Sequence, residues 1–249
     1  MANIWNPNAV TTDLVLCLDA ANVRSYPGSG STWYDISGNG NNGSISSGEF
    51  VSDATTGGYL RNSGNVSNFF YVSVSDSTSI NNAFTDANGW TIEEVIWTNS
   101  VNYPEADAGT VVSGQAYGAG NTGFDWNHGY GNTAFSMGAS SNSASGYEDS
   151  VTINLSSPYT SLNAWRVRTM IWNKASNTFS LYINGDSMGS GNLSNTAGTA
   201  IYDGGGISFG TLYGWKHYGR RAGIKIYSKV LTAAEVKQNF EAVRARFSL

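Results

Sequence analysis

Apolar and polar residues alternate over short runs along most of this chain, and Gly, Asn and Ser punctuate the runs. A period of two is the mark of a half-buried strand. Phe70–Val74 (FYVSV), Trp90–Trp97 (WTIEEVIW), Val151–Leu155 (VTINL), Trp165–Trp172 (WRVRTMIW), Phe179–Ile183, Ile207–Phe209 and Gly223–Tyr227 all fit strands. Leu14–Leu18 (LVLCL) is continuously apolar, as a strand covered on both faces would be. In WRVRTMIW the alternation puts Val167 and Ile171 on one face and Arg166 and Arg168 on the other, and in the last strand it turns Ile224 and Ile226 inward. The spacer NKASN before Thr178 predicts a hairpin, and Asn184-Gly185 predicts a type I′ turn. Between Gly114 and Ser150 strand signals occur only at Gly123–Trp126 and Ala134–Met137, which reads as long loops around one hairpin. No period of about 20 to 50 residues repeats, so a solenoid or propeller is disfavoured.

One segment changes period. In LTAAEVKQNFEAVRARF, Val236, Phe240, Val243 and Phe247 recur at helical spacing, and Thr232 with Glu235 forms a capping box. This predicts a helix over 232–247 that packs its apolar stripe on the domain and leaves Lys237, Glu241 and Arg244 toward solvent, the cations favoured near its C-terminus. The expected layout is a single all-β domain over 1–249, with an N-terminal arm over 1–12 and this one short helix at the end.

Composition supports strands and tight turns. Charged residues are 12 % of the chain, about half the usual share, while 30 glycines and 13 % aromatics take their place. The formal net charge of -5 argues against a nucleic-acid binder, which needs clustered Lys and Arg. The charge is unevenly spread: from Lys216 onward eight basic residues meet two acidic ones, whereas the first 215 residues hold five basic and sixteen acidic. Cys17 is the single cysteine, so an intrachain disulfide or a Cys-ligated zinc centre is excluded, and a small buried hydrophobe is expected. The N-terminal MANIWNPNAV lacks a basic n-region and LVLCL is too short for a signal core or a span, so the expectation is a soluble chain with no membrane partner.

Three glycines invite a sharper reading. In WYDISGNGNNGSI, Gly38, Gly40 and Gly43 have the G-x-G-x-x-G spacing of a dinucleotide loop, but the following SISSGEFVSD has no helical period and offers no helix N-terminus for a pyrophosphate. Asp35, Ser37, Asn39 and Gly40 also fit positions 1, 3, 5 and 6 of an EF-hand, yet position 12 is Ser46 where a bidentate Glu is needed. Two readings stay open: a turn built from residues that tolerate positive φ, and a looser calcium site of the Asp35 carboxylate with loop carbonyls. No other cofactor is expected.

Catalytic signals are sparse. G-x-S-x-G is absent, and Glu93 and Glu94 are adjacent, so a strand points them to opposite faces and away from the paired geometry of a glycoside hydrolase. Binding signals are richer. Asp125, Trp126, His128 and Tyr130 (DWNHGY), then Tyr147, and Trp215 with His217 in YGWKHY set aromatic faces beside carboxylate and imidazole groups. Sugars are held in this way, by rings against C–H faces and polar groups on hydroxyls; the alternative is that these aromatics fill a core or a subunit interface, where Trp and Tyr are also enriched.

DLVLCLDAANVRSYPGSGSTWYDISGNGNNGSI, LYINGD and AGIKIYSKVLTAAEVKQNFEAVRARF together resemble the concanavalin A-like, laminin-G-type jelly-roll domains of structural proteins of tailed bacteriophages. The resemblance implies a two-sheet antiparallel sandwich whose tyrosine-containing last strand runs into the helix, with no catalytic machinery. It also implies a place on the virion surface, as capsid decoration or fibre or tail component, among other virion proteins and as a homo-oligomer. The chain departs from the family in the length of Tyr59–Val74 and in Glu94, where a small residue is more usual, and its aromatic loops match no family site. The expected function is non-enzymatic: carbohydrate binding for host attachment, or a purely structural decoration. The charge asymmetry adds a docking expectation, in which Arg220, Arg221, Lys237, Arg244 and Arg246 contact an acidic neighbour in the particle.

Overall fold

The computed structural model describes residues 8–62, 70–85, 88–98, 110–112, 121–128, 134–143, 149–159, 163–193, 206–212, 215–216 and 219–249. Among them the first half of the chain gives β1 (Leu14–Asp19), β2 (Thr32–Trp33), β3 (Gly43–Ser46), β4 (Gly48–Val51), β5 (Tyr59–Asn62), β6 (Tyr71–Val74), α1 (Thr78–Thr85), β7 (Gly89–Thr98) and β8 (Thr110–Val112). The second half gives β9 (Asn121–His128), β10 (Ala134–Ser143), β11 (Asp149–Asn154), β12 (Ala164–Asn173), β13 (Thr178–Ile183), β14 (Asp186–Asn192), β15 (Ile207–Phe209), β16 (Thr211–Leu212), β17 (Trp215–Lys216), β18 (Arg220–Tyr227) and α2 (Ala233–Phe247).

The strands form two antiparallel sheets that face each other. The first runs β14-β13-β12-β7-β18-β5-β4, with β1 also paired to β18; the second runs β11-β10-β9-β8-β15-β6-β3-β2. β16 and β17 make a separate two-stranded ribbon. This is the expected two-sheet jelly-roll sandwich with a C-terminal helix. β7 is the spine of the first sheet, paired along its length to β12, from Gly89 opposite Asn173 to Thr98 opposite Ala164, and to β18 on its other side.

The main core lies between the sheets and takes one alternating row from each strand: Trp90 and Ile92 of β7, Met170 and Trp172 of β12, Phe179, Leu181 and Ile183 of β13, and Ile224 and Ile226 of β18 meet Phe124, Phe135, Met137 and Phe209 of the second sheet. Trp90 contacts Phe124 edge-on at 5.3 Å between ring centroids. The first sheet is also covered on its outer face. There α2 lays Phe240, Val243 and Phe247 on Val95, Trp165 and Val167, and Val236 joins Cys17, Ile171 and Tyr227. Each such side chain is worth about 1.5–3 kcal/mol when fully buried, which explains why Val167 and Ile171 are apolar on the face opposite the core.

The helix forms as its pattern predicts. Thr232 accepts from the Glu235 amide, Glu235 returns a bond to the Thr232 amide, and Lys229 Nζ reaches Glu235 Oε1 at 2.6 Å. Hydrogen bonding to Lys229 and then to the Thr232 amide holds the Glu235 carboxyl below its ordinary range. Residues 8–10 of the expected arm are tied to this helix: Val10 N–H donates to Asn239 Oδ1 at 2.9 Å, and Gln238 donates to the Asn8 carbonyl at 2.7 Å. The Asn184-Gly185 turn has φ of 55° and 78°, as a type I′ turn requires.

The structure adds elements that the pattern does not announce. α1 has only two turns, capped by the Ser77 hydroxyl on the Ile80 amide and buried through Ile80, Ala83 and Phe84. β14 (DSMGSGN) has no alternation because it is an edge strand, and its Gly191 lies where a Cβ would meet Val151 at 2.5 Å.

Candidate functional site

Backbone topology sorts the binding candidates by the two ends of the sandwich. His128 closes β9 and Ala134 opens β10, while Ser143 closes β10 and Asp149 opens β11. The described anchors of the Tyr130 and Tyr147 stretches are therefore at opposite ends of a ten-residue strand, about 30 Å apart at 3.3 Å per residue. Trp215 falls at the His128 end, because it follows β15, whose Phe209 pairs with Thr110 and through it with Trp126. Tyr130, Tyr147 and His217 lie outside the described residues; Asp125, Trp126, His128 and Trp215 are placed through their backbone. The ladder sets Trp126 opposite Met137, His128 opposite Phe135 and Asp125 opposite Gly138. Among the described residues, the backbones of Trp126, His128 and Trp215 fall toward the same end of the sandwich.

The same end holds a buried charge network that the sequence pattern leaves unread. Glu94 sits in the β7 row that points between the sheets. Arg168 Nη2 and Nε donate to its Oε2 at 2.6 and 3.2 Å, and Arg221 Nη2 donates to its Oε1 at 3.1 Å. The three side chains are at most 1 % exposed, and Arg166 is buried two residues before Arg168. The guanidinium of Arg168 lies 5.2 Å from the Phe135 ring centroid and that of Arg221 lies 5.9 Å from Phe209, so both reach the facing sheet. Arg221 turns inward because the β18 register shifts between Arg221 and Gly223, setting Arg221 opposite Ile96. The adjacent Glu93 takes the opposite face, as expected, and binds Lys225 Nζ at 3.0 Å beneath α2. There burial pulls the Lys225 ammonium down, but Glu93 together with Tyr227 and Cys17 more than offsets it and the group stays charged. Burial pushes the Cys17 thiol up, so it is protonated and inert. Glu93 and Glu94 are thus each consumed by cations on separate faces.

The docking residues divide. Arg221 and Arg246 are interior: Arg246 Nη1 meets Asp19 Oδ1 at 2.9 Å and its Nε donates to the Thr56 carbonyl. Their burial is a correction to the expectation of an exposed basic face, and its cause is the need of buried Glu94 and Asp19 for a cation. Arg244 is exposed and paired with Glu241 at 3.1 Å, and Lys237 lies 3.6 Å from Asp186 and 3.8 Å from Glu241. Arg220 is partly exposed, between the rings of Tyr59 and Trp97 at 4.7 and 4.6 Å.

Asp35 is at the far end, where Leu14 pairs with Tyr227. Its Oδ1 accepts from the Cys17 and Ser37 amides, both at 2.9 Å, and its Oδ2 from Ser37 Oγ at 2.7 Å and the Asn41 amide at 3.0 Å. Four donors aimed at one carboxylate make it the organiser of a turn, the environment opposite to the one a cation requires. Among the described residues no group of three or more His, Cys, Asp or Glu could hold a metal. The glycines divide by role: Gly38 and Gly40 have φ of 99° and 75°, while Gly43 is packed so that a Cβ would meet Val72 at 2.8 Å. The asparagines of this turn, Asn39, Asn41 and Asn42, have no positive φ; Asn39 and Asn41 donate instead to the Val15 carbonyl at 3.2 and 2.8 Å.

These features define the chain as an antiparallel jelly-roll sandwich, a fold it shares with the binding domains of clostridial toxins. It is similar to the binding domain of Paraclostridial Mosquitocidal Protein 1, with a TM-score of 0.65 and 20 % identity over 92 % of this chain and 52 % of that one. The binding domain of botulinum neurotoxin DC, solved with rat synaptotagmin II, gives 0.65 and 15 % over 94 % and 52 %. A botulinum neurotoxin type C structure, described as depending on two ganglioside molecules for cell entry, gives 0.64 and 15 % over 93 % and 51 %. The chain spans about half the length of these structures, and at such identities the likeness shows the fold. No protein-family model and no curated protein sequence matches.

Proposed function

We propose that this chain is a non-enzymatic carbohydrate-binding module carried on the surface of a bacteriophage particle, where it serves host attachment. The observation that carries the binding reading is the gathering, at one end of a rigid sandwich, of the strand ends bearing Trp126, His128 and Trp215 with the buried arginines of the Glu94 network. Loops on a rigid scaffold are where recognition usually sits. The fold's occurrence in toxin binding domains, one of them associated in its description with gangliosides, supports the same class. The phage assignment rests on the quoted terminal motifs and LYINGD. Host-surface glycan and neighbouring virion proteins, including further copies of the chain, are the partners this reading names. Particle docking through a basic face is narrowed to Lys237 and Arg244 on α2, because Arg221 and Arg246 are interior and Arg220 lies apart over Tyr59 and Trp97.

The test is a glycan array and a host-cell binding assay with the whole chain, beside Trp126→Ala and Trp215→Ala. Binding by the wild type that falls in either variant supports the reading. Absence of binding to every glycan and cell tested favours a purely structural decoration. Release of reducing ends from host polysaccharide would reveal a hydrolase instead.

A further inference from the structure

Arg220 is unlike the other arginines of the first sheet. Its guanidinium lies 4.7 Å from the Tyr59 ring centroid and 4.6 Å from that of Trp97, and among the described residues it makes no hydrogen bond or ion pair. Its position is nevertheless fixed, because both rings belong to a packed aromatic cluster. Trp165 meets Tyr59 and Trp97 edge-on at 5.7 Å each, and Phe247 at 4.9 Å. Tyr59, Trp165 and Phe247 are buried, whereas Trp97 is only partly so. A guanidinium held over aromatic rings by cation–π attraction keeps its N–H donors for other acceptors.

A second arginine stands beside it. β18 and β5 pair Arg220 directly with Arg61, an arrangement of like charges that destabilises a sheet. Arg61 Nη2 is held by Glu49 Oε1 at 3.1 Å, a half-exposed pair, and its Nε is buried without a hydrogen-bond partner. Asp53 is already an acceptor for Thr55 and Thr56, and these bonds, the Thr56 amide first, hold its carboxyl below its ordinary range, with Arg220 adding the least. The patch thus joins two cations, unused planar donors and a partly exposed indole, at the same end of the sandwich as His128 and Trp215.

We propose that Arg220, with Arg61 and Trp97, is the subsite for an acidic sugar: the fork of Arg220 takes a carboxylate or sulfate, Arg61 adds charge, and Trp97 supports the C–H face of the ring that bears it. Planar two-donor pairing with an oxyanion is the geometry arginine provides best. This inference rests on the carbohydrate-binding reading and names its ligand class.

The experiment is calorimetric titration of the whole chain with a disaccharide ending in glucuronic acid, a disaccharide carrying a 6-sulfate on galactose, lactose and inorganic sulfate. The variants are Arg220→Gln, Arg220→Lys, Arg61→Gln and, as a control of equal charge on α2, Lys237→Gln. The expected result is binding of one or both acidic sugars at least tenfold tighter than lactose or free sulfate. Arg220→Gln should weaken it about tenfold to a hundredfold, the range of a charge-assisted hydrogen bond, with Arg220→Lys intermediate and Lys237→Gln within about twofold. The preferred acid identifies the source of the oxyanion. Arg220→Lys keeps the charge over the rings, so loss of affinity with an unchanged melting temperature separates recognition from folding. Equal affinity for lactose, or wild-type affinity in Arg220→Gln, overturns the subsite while leaving carbohydrate binding intact. Binding of inorganic sulfate without either sugar overturns it as well. If no sugar binds here or on an array, the carbohydrate reading itself falls.

Discussion

Replacing Glu93 by leucine removes one carboxylate from under α2 and leaves the Lys225 ammonium, 2 % exposed, with Cys17 and Tyr227 as neighbours. Breaking a buried pair from one side costs about 3–5 kcal/mol, because the remaining charge has lost its partner and cannot regain water. For 249 residues the unfolding entropy is about 0.5 kcal/mol per kelvin, so the melting temperature of Glu93→Leu should fall by about 6–10 °C. The double variant Glu93→Leu/Lys225→Met replaces the pair with apolar groups of similar size and should recover most of that loss. The pH response has a definite sign. In the wild type the folded pKa of Lys225 is raised, so the pair's contribution is complete below the unfolded lysine value and disappears as pH climbs through the folded one. In Glu93→Leu the largest influence left is burial, which lowers it; the unfolded chain then binds more protons, and stability rises with pH toward about 10. Thermal denaturation from pH 7 to 10 separates them: the pair's contribution is flat in the wild type, whereas Glu93→Leu gains stability. A Glu93→Leu protein as stable as wild type, or one that loses stability over that interval, would refute the assignment of a charged, mutually dependent pair.

Other consequences follow from the turn and the helix cap. Gly43→Ala should cost several times more than Gly38→Ala, because its Cβ would strike Val72 at 2.8 Å whereas that of Gly38 meets open space and only a φ of 99° opposes it; denaturant midpoints compare them. Asp35→Asn exchanges acceptors for donors opposite the Ser37 and Asn41 groups and should lose about 1–3 kcal/mol, while millimolar calcium or a chelator should leave the wild-type melting temperature unmoved. A calcium-dependent rise would restore the metal reading. Thr232→Ala should lose about 1 kcal/mol in the same assay. Because the Glu235 pKa is depressed, the cap's contribution is present above the unfolded Glu value and fades as pH falls through the folded one. The cost of Thr232→Ala should therefore shrink below about pH 4.

Much of the sandwich is legible in the chain because its central strands alternate strictly: β12 and β13 were readable from WRVRTMIW and TFSLYI, and their hairpin from the NKASN spacer. Edge strands carry less signal, since β14 faces solvent along one border and β2 has only two residues. The place of the charged rows is not legible in the pattern, for a physical reason. Alternation shows that Arg166 and Arg168 share a face, but not that this face is the interior, because α2 covers the other side with apolar residues of its own. Glu94 between two arginines on neighbouring strands is a pairing visible only once register is known. The basic C-terminal composition misled similarly, as Arg221 and Arg246 compensate buried acids far away in sequence. For the aromatic loops the sequence named plausible chemistry, and topology then showed that their anchors belong to two ends.

Where a glycan sits on the molecule is the most direct question. Hydroxyl-radical footprinting of the whole chain, with and without the tightest sugar from an array, answers it. The account predicts protection confined to the end that carries His128, Trp215, Arg220 and Trp97, with the 35–43 turn unchanged. Protection of the 35–43 turn, or none at the His128 and Trp215 end, would contradict it.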